Sequence, residues 1–304
     1  MIKIDLDGVK KTLKEYKFPV DVIVELTANC NLKCSMCPHK NLKRKKGEMP
    51  FKTFKKIIDE VSIEGSSTRL WLAVFGEPLL LEDKLIEYIK YAKSKDINSI
   101  HLNTNGTFLN KNISEKLLEI GITEIYIGMD AYKEETYNKI RVGGNFKQTV
   151  ENIETFLNLI KKFNYKNTKL FMQFIVMKEN EEEVYKFKNY WLEKGAIVKI
   201  RPRLGFGLIN NPEENIIPDV KRDFPCPWLI RIVQIHWDGV LSQCDNDYEG
   251  YYSPGNINKQ SIKEIWNGEL AKRRQKHWQN DFSHDLCKDC KDWACGRSHF
   301  YYPE

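Results

Sequence analysis

Between positions 21 and 202 short apolar runs alternate with stretches where apolar residues recur every three or four positions, the pattern of strands separated by amphipathic helices. The runs at 22–26, 70–74, 99–103, 124–128, 170–176 and 196–200 read as strands. The stretches at 51–64, 82–95, 114–120, 133–141, 145–163 and 181–194 read as the helices between them. Ser114 is placed as an N-cap, and Gly121 and Gly195 as C-terminal stops. Repeated β/α units build a parallel sheet, and six of them predict an α/β fold with a partial (β/α)6 TIM-like barrel. Chemistry in such a fold sits at the C-terminal ends of the strands. That rule singles out Cys30 after the first strand, Gly76-Glu77-Pro78 after the second, Thr104-Asn105-Gly106 after the third and Asp130 after the fourth.

The alternation stops after residue 202. Glycine, proline and asparagine crowd positions 204–219, which read as a linker. Beyond it, strands at 230–235 and 240–244 flank Trp237-Asp238-Gly239 as a hairpin, and Ser261 and Glu264 form a capping box for a short helix that Gly268 closes. The chain therefore divides into an N-terminal extension (1–17), a barrel (18–204), a linker (205–225) and a small C-terminal α+β unit of hairpin plus helix (226–304).

At 304 residues and 41% hydrophobic the chain can bury a full core. Its charged start is no signal peptide and no apolar run spans a membrane, so a cytoplasmic protein is expected, with no membrane partner. The net charge of +6 is spread along the chain, too mild to argue for nucleic acid but compatible with an anionic substrate or an acidic redox partner. One dense basic run, Lys43-Arg44-Lys45-Lys46, reads as a solvated loop, with partner docking as the other reading.

Eight cysteines in a reducing compartment point to metal ligands or catalytic groups rather than disulfides. Cys30-x3-Cys34-x2-Cys37 can wrap three thiolates around one face of a cubane and leave one iron open; the alternative is a zinc site with His39 as fourth ligand. The segment VELTANCNLKCSMCPHK resembles the signature of the radical S-adenosylmethionine (SAM) superfamily, with Met36 where relatives often carry an aromatic residue. Phe75-Gly76-Glu77-Pro78 is similar to that family's glycine-glutamate-proline motif, and 102–107 and 126–130 resemble its third and fourth strand ends. The resemblance implies SAM bound to a 4Fe-4S cluster and cleaved to a 5′-deoxyadenosyl radical. It implies cofactor contacts from Met36, Gly76, Glu77, Pro78, Asn103, Asp130, Arg141 and Gln173, with Arg141 set against the SAM carboxylate. Taken alone, Asn103 and Asp130 also read as caps or turn formers, and Gln173 as a satisfied core amide.

Cys226-x12-Gly239-x4-Cys244, followed by Cys287-x2-Cys290-x4-Cys295, resembles the SPASM or twitch extension of these enzymes. Its five cysteines imply one auxiliary 4Fe-4S cluster, held by Cys226, Cys244, Cys287 and Cys290, and so two clusters in all. A zinc ribbon is the alternative. Cys295 keeps three readings: a substitute ligand, a buried structural thiol, or a hydrogen-atom donor and thus a catalytic residue.

About 17 residues precede the first strand, too few for an added peptide-recognition domain, which favours a small polar substrate of polyol, aminocyclitol or carbohydrate type. The expected reaction is dehydrogenation or epimerisation, served by a reducing partner such as flavodoxin or ferredoxin. Maturation of a ribosomal peptide and a non-catalytic iron-sulfur or zinc-stabilised binding protein are the alternatives. Arg201 and Arg203 face an anionic substrate or form linker ion pairs.

Overall fold

Six parallel strands lie side by side in chain order in the computed structural model, which describes residues 3–65, 67–206, 221–295 and 300–301. They are β1 (Asp21–Val24), β2 (Arg69–Leu72), β3 (Ile100–Thr104), β4 (Glu124–Gly128), β5 (Lys169–Val176) and β6 (Ile197–Pro202). Each expected strand is present within two residues of its expected ends, and the helices Phe51–Glu64, Asp83–Ser94 and Phe146–Phe163 follow the expected periodicity. The period of two along each strand sorts its side chains. Val22, Val24, Leu70, Leu72, Ile125 and Ile127 pack into the main core that includes the helices, while Ile23, Trp71, Tyr126 and Phe171 form a separate cluster inside the curved sheet.

Two of the expected helix stops are present, and one expected cap is not. Gly121 and Gly195 take φ of +73° and +94°, the left-handed geometry of helix stops. Ser114, however, is not an N-cap. The helix is Lys111–Glu119, capped by Asn110, whose side chain accepts from the Ile113 N–H; Ser114 lies inside it, fully buried, its hydroxyl donating to Leu109 O. The last helical stretch opens as a tight turn at Glu181–Glu183 and becomes α-helical over Val184–Glu193.

The expected linker falls mostly on 207–220, outside the described residues. Past it, residues 230 and 231 are helical, the end of Pro227–Arg231 with Pro227 in its first turn, so the strand expected from 230 begins two residues later. The hairpin is β7 (Ile232–Ile235) and β8 (Val240–Ser242), joined by β9 (Gly255–Asn256). The Ser261–Glu264 capping box is complete, and a further helix, Glu269–Trp278, follows Gly268. β7 pairs parallel with β1, Asp21 opposite Ile232 through Val24 opposite Ile235. The sheet order β9-β8-β7-β1-β2-β3-β4-β5-β6 is therefore continuous across the C-terminal unit and the barrel.

The basic run is only partly a solvated loop. Lys43, Lys45 and Lys46 are exposed, but the Arg44 guanidinium pairs with the fully buried Glu25 carboxylate, its Nη1 donating at 2.9 Å, and its Nε donates to Tyr248 O at 2.7 Å. The backbone N–H groups of Lys43 and Arg44 donate to Glu249, and that of Trp237 to Glu25. This segment straps the loop after β1 to the C-terminal hairpin. No helix among the described residues is long and apolar enough to cross a membrane.

Candidate active site

The loop after β1 carries Cys30, Cys34 and Cys37 to the rim of a cavity of about 310 Å³ at the C-terminal ends of the strands. Its backbone is pinned from outside: Lys33 and Ser35 donate to Val142 O and Ile140 O. Met36 is buried against this loop with Leu32, Ile140 and Met177, and it too lines the cavity. Gly76 is required here, because a Cβ at that position would stand 1.9 Å from Thr27 O and 2.9 Å from Asn29 O. Only a glycine lets the 75–78 turn lie against the cysteine loop, where Glu77 N–H donates to Asn29 O at 2.8 Å.

The Glu77 carboxylate is buried and accepts from Thr104 Oγ1 (2.6 Å), Asn105 N–H (2.7 Å) and Leu79 N–H (3.0 Å). Burial pushes its carboxyl up, and these donors and Arg141 oppose that. A carboxylate offers about four acceptor sites, so roughly one remains for a donor in the cavity.

Asp130 and Arg141 meet directly. Asp130 takes φ of +57°, accepts from Ile175 N–H at 2.7 Å with Oδ1, and forms an ion pair with Arg141 through Oδ2. Arg141 Nη1 also lies 3.6 Å from Cys34 Sγ. Burial works against its charge, but Asp130 and Cys34 outweigh that and hold it firmly protonated. The guanidinium passes over Gly128, where a Cβ would stand 2.3 Å from Arg141 Nη2. Asn103 lines the cavity with a buried Oδ1 that has no donor among the described residues. Gln173 lines it as well, its Oε1 accepting from Arg201 Nη1 at 3.0 Å.

Sequence reasoning missed the wall residues Trp71 and Tyr126. Trp71 donates to Asp21 Oδ1 and stacks on His101 at 4.4 Å, and Tyr126 stacks on Phe171 at 4.5 Å. They stand at inward positions of β2 and β4, so strand alternation, applied once the inner face is known, identifies them.

Cys226, Cys244, Cys287 and Cys290 line a second, smaller void. Gln243 Nε2 and Asn246 Nδ2 donate to Cys287 Sγ (3.4 Å) and Cys290 Sγ (3.2 Å). Burial pushes the Cys30 and Cys290 thiols up to about 12 and those of Cys37 and Cys287 to about 11, and it raises Cys226 and Cys244 as well. Thiols so placed ionise when a metal supplies the opposing charge. Amide N–H groups on sulfur suit an iron-sulfur cluster, whose sulfurs take such bonds. The cysteine sets, the acceptors Glu77 and Asn103, and the cradle at Gly76 thus fit two clusters and a cofactor carrying donors.

Cys295 does not line that second void, although Cys290 and Cys226 are near enough to raise its thiol. It lines the first cavity, and burial raises its thiol strongly, with Asp292 adding to the effect and Arg201 opposing it. Leu204, Trp228 and Asp245 line both voids and form the partition between them.

A partial barrel with a cysteine triad on its first loop and a second cysteine set beyond it defines a class of iron-sulfur proteins. The sequence profile of the radical SAM superfamily matches residues 24–190, more than half of the chain, and that of SPASM, an iron-sulfur cluster-binding domain, matches residues 226–291. The chain belongs to the radical SAM superfamily, and its two regions imply SAM and a 4Fe-4S cluster in each. The tungsten-containing aldehyde ferredoxin oxidoreductase cofactor-modifying protein of Pyrococcus furiosus is 21% identical over 288 residues, covering 81% of this chain and 80% of that protein. GTP 3′,8-cyclase of Lactiplantibacillus plantarum is 30% identical over 180 residues, which cover 56% of this chain and 49% of the cyclase, so the match spans about half of each. Among solved structures, BtrN in complex with AdoMet and 2-DOIA superposes with a TM-score of 0.64 at 18% identity, over 91% of this chain and 94% of that one. Streptococcus suis SuiB bound to precursor peptide SuiA gives 0.69 at 13%, over 86% and 67%. At these identities the structures share a fold.

Proposed function

We propose that this radical SAM protein is an oxidoreductase or epimerase acting on a small polar substrate of the polyol, aminocyclitol or carbohydrate kind. The observation that carries the reading is a cavity of small-molecule size that the Cys30, Cys34 and Cys37 loop and the separate thiol of Cys295 both line. SAM, bound at the reduced cluster, supplies a 5′-deoxyadenosyl radical able to take a hydrogen atom from a C–H bond.

In this reading Cys30, Cys34 and Cys37 hold the first cluster and Cys226, Cys244, Cys287 and Cys290 the second. Glu77 receives an ammonium group with its remaining acceptor site, and the Asn103 Oδ1 accepts from a hydroxyl. Arg141, fixed by Asp130, offsets negative charge beside Cys34. Trp71 and Tyr126 keep water from the inner wall. Burial holds Cys295 as a thiol, so its S–H returns a hydrogen atom to a substrate radical and gives the epimer. One electron from a reducing partner such as flavodoxin or ferredoxin, with one proton, restores the thiol. Where the radical instead loses its hydroxyl proton to a base and an electron that the second cluster, held by Cys226, Cys244, Cys287 and Cys290, would accept, the product is a ketone and Cys295 takes no part.

Anaerobic reconstitution with iron counting tests the assignment. Wild type should hold about eight irons, a Cys30, Cys34, Cys37 triple alanine variant about four, and Cys295→Ala about eight. Dithionite should drive 5′-deoxyadenosine formation in wild type and Cys295→Ala but not in the triple variant. Loss of about four irons in Cys295→Ala would make that residue a ligand, and no SAM cleavage by wild type would sink the radical reading. A polyol or sugar screen reads the substrate through stimulated 5′-deoxyadenosine release. Stimulation by a short peptide alone would move the reading to peptide maturation.

A further inference from the structure

The side-chain amides of Gln243 and Asn246 face the second cysteine set, and each is held with its nitrogen toward sulfur. Arg273 Nη1 donates to Gln243 Oε1 at 2.8 Å. An arginine has no acceptor, so the amide oxygen has to face it and the amide nitrogen has to face Cys287 Sγ, 3.4 Å away. Arg273 is fixed in turn by Tyr252 O at 2.9 Å and by Glu269. Gln243 is 2% exposed, so little water competes for its N–H groups. Asn246 places its nitrogen 3.2 Å from Cys290 Sγ and also donates to the Asp292 carboxylate, which accepts Gly205 and Phe206 N–H at 2.8 and 2.9 Å. Behind Cys287, Arg222 donates to the Cys287 carbonyl at 3.2 Å, its guanidinium 3.9 Å from the centre of the Phe282 ring.

We propose that Gln243 and Asn246 raise the reduction potential of the second cluster, with Arg273 positioning Gln243, and so fit that cluster to take an electron from a substrate radical. Reduction adds one negative charge, spread over iron and sulfur, so an N–H aimed at a ligand sulfur stabilises the reduced form more than the oxidised one. Arg222 and Arg273 act on Cys287 in the same sense through their charge. Asp292 acts in the opposite sense on Cys226 and Cys290, and the donors from Gly205, Phe206 and Asn246 offset its charge. The inference rests on the reading that Cys226, Cys244, Cys287 and Cys290 hold this cluster.

The test is a redox titration of the reconstituted holoenzyme followed by electron paramagnetic resonance. SAM binds the first cluster, so the signal that added SAM leaves unchanged reports the second. Gln243→Leu and Asn246→Ala each remove a donor and should each cut the ratio of reduced to oxidised second cluster about tenfold at a fixed potential, a downward shift of about 59 mV for one electron. Gln243→Glu keeps the Arg273 partner but turns an ionised oxygen to Cys287, so it should shift the potential further in the same direction. The exposed Lys272→Gln should change nothing, since water and salt screen its charge. Every variant should hold about eight irons. Potentials that Gln243→Leu and Asn246→Ala leave unchanged or raise would overturn the proposal. Loss of about four irons in either variant would also overturn it, since the amides would then hold the site together rather than tune it. Wild type with only about four irons would sink the cluster assignment as well, whereas about eight irons with unmoved potentials defeats this inference alone.

Discussion

A histidine sealed in apolar surroundings resists its proton, and His236 is such a group. It is 1% exposed, and burial, with Arg44 nearby, lowers its folded pKa to about 3. An unfolded histidine titrates near 6.5, so below that pH the unfolded chain binds a proton that the folded chain refuses. Stability at this site is therefore full above about pH 7 and falls as pH drops toward 3. Between pH 7.5 and 5.5 the loss is about 1.4 kcal/mol. Denaturant midpoints at the two pH values should show a smaller drop for His236→Gln than for wild type; equal drops would contradict the account. The same scale shows what the sequence hides. Cys30, Cys34 and Cys37, and Cys287 with Cys290, are close in sequence, so these groups stand out without the fold. Arg44 looks like any other member of a basic run, because its partners Glu25 and Tyr248 reach it only through the tertiary fold.

Strands and helices of the barrel were legible because alternation at period two and recurrence at 3.6 are written in consecutive residues. Their ends were less so. Ser114 and Asn110 are both good capping residues, and which one caps depends on where the chain leaves the sheet. Asn110→Ala should cost about 1 kcal/mol in denaturant unfolding, and Ser114→Ala well under half of that, since its hydroxyl makes only a 3.3 Å contact to Leu109 O. Equal costs would return the cap to Ser114. The apolar stretch from Leu229 hides a change from helix to strand at Ile232, which hydrophobicity alone cannot show. Pro227, favoured in a first helical turn, was the available signal.

For the molecule as a whole, the decisive contact is the pairing of β7 with β1. It places β1 inside the sheet, between β2 and β7, although it is the first barrel strand in the sequence. No local pattern announces this, since strand order in a sheet is a long-range choice. A chain ending at residue 206 would expose the β1 edge and strip Glu25 of the Trp237 N–H. Such a fragment should elute as aggregates on size exclusion and bind well below the four irons an independent barrel would take up. A monomer with a full first cluster would show the barrel to be self-sufficient.

The shared ladder also constrains how such a protein can diversify. A C-terminal unit taken from elsewhere has to arrive with a strand that reads the β1 edge in register, as Ile232–Ile235 does, and with a tryptophan or its equivalent over Gly47. Wholesale exchange of the unit by recombination is thereby disfavoured. New specificity is more readily reached by changing side chains at the strand ends, one position at a time.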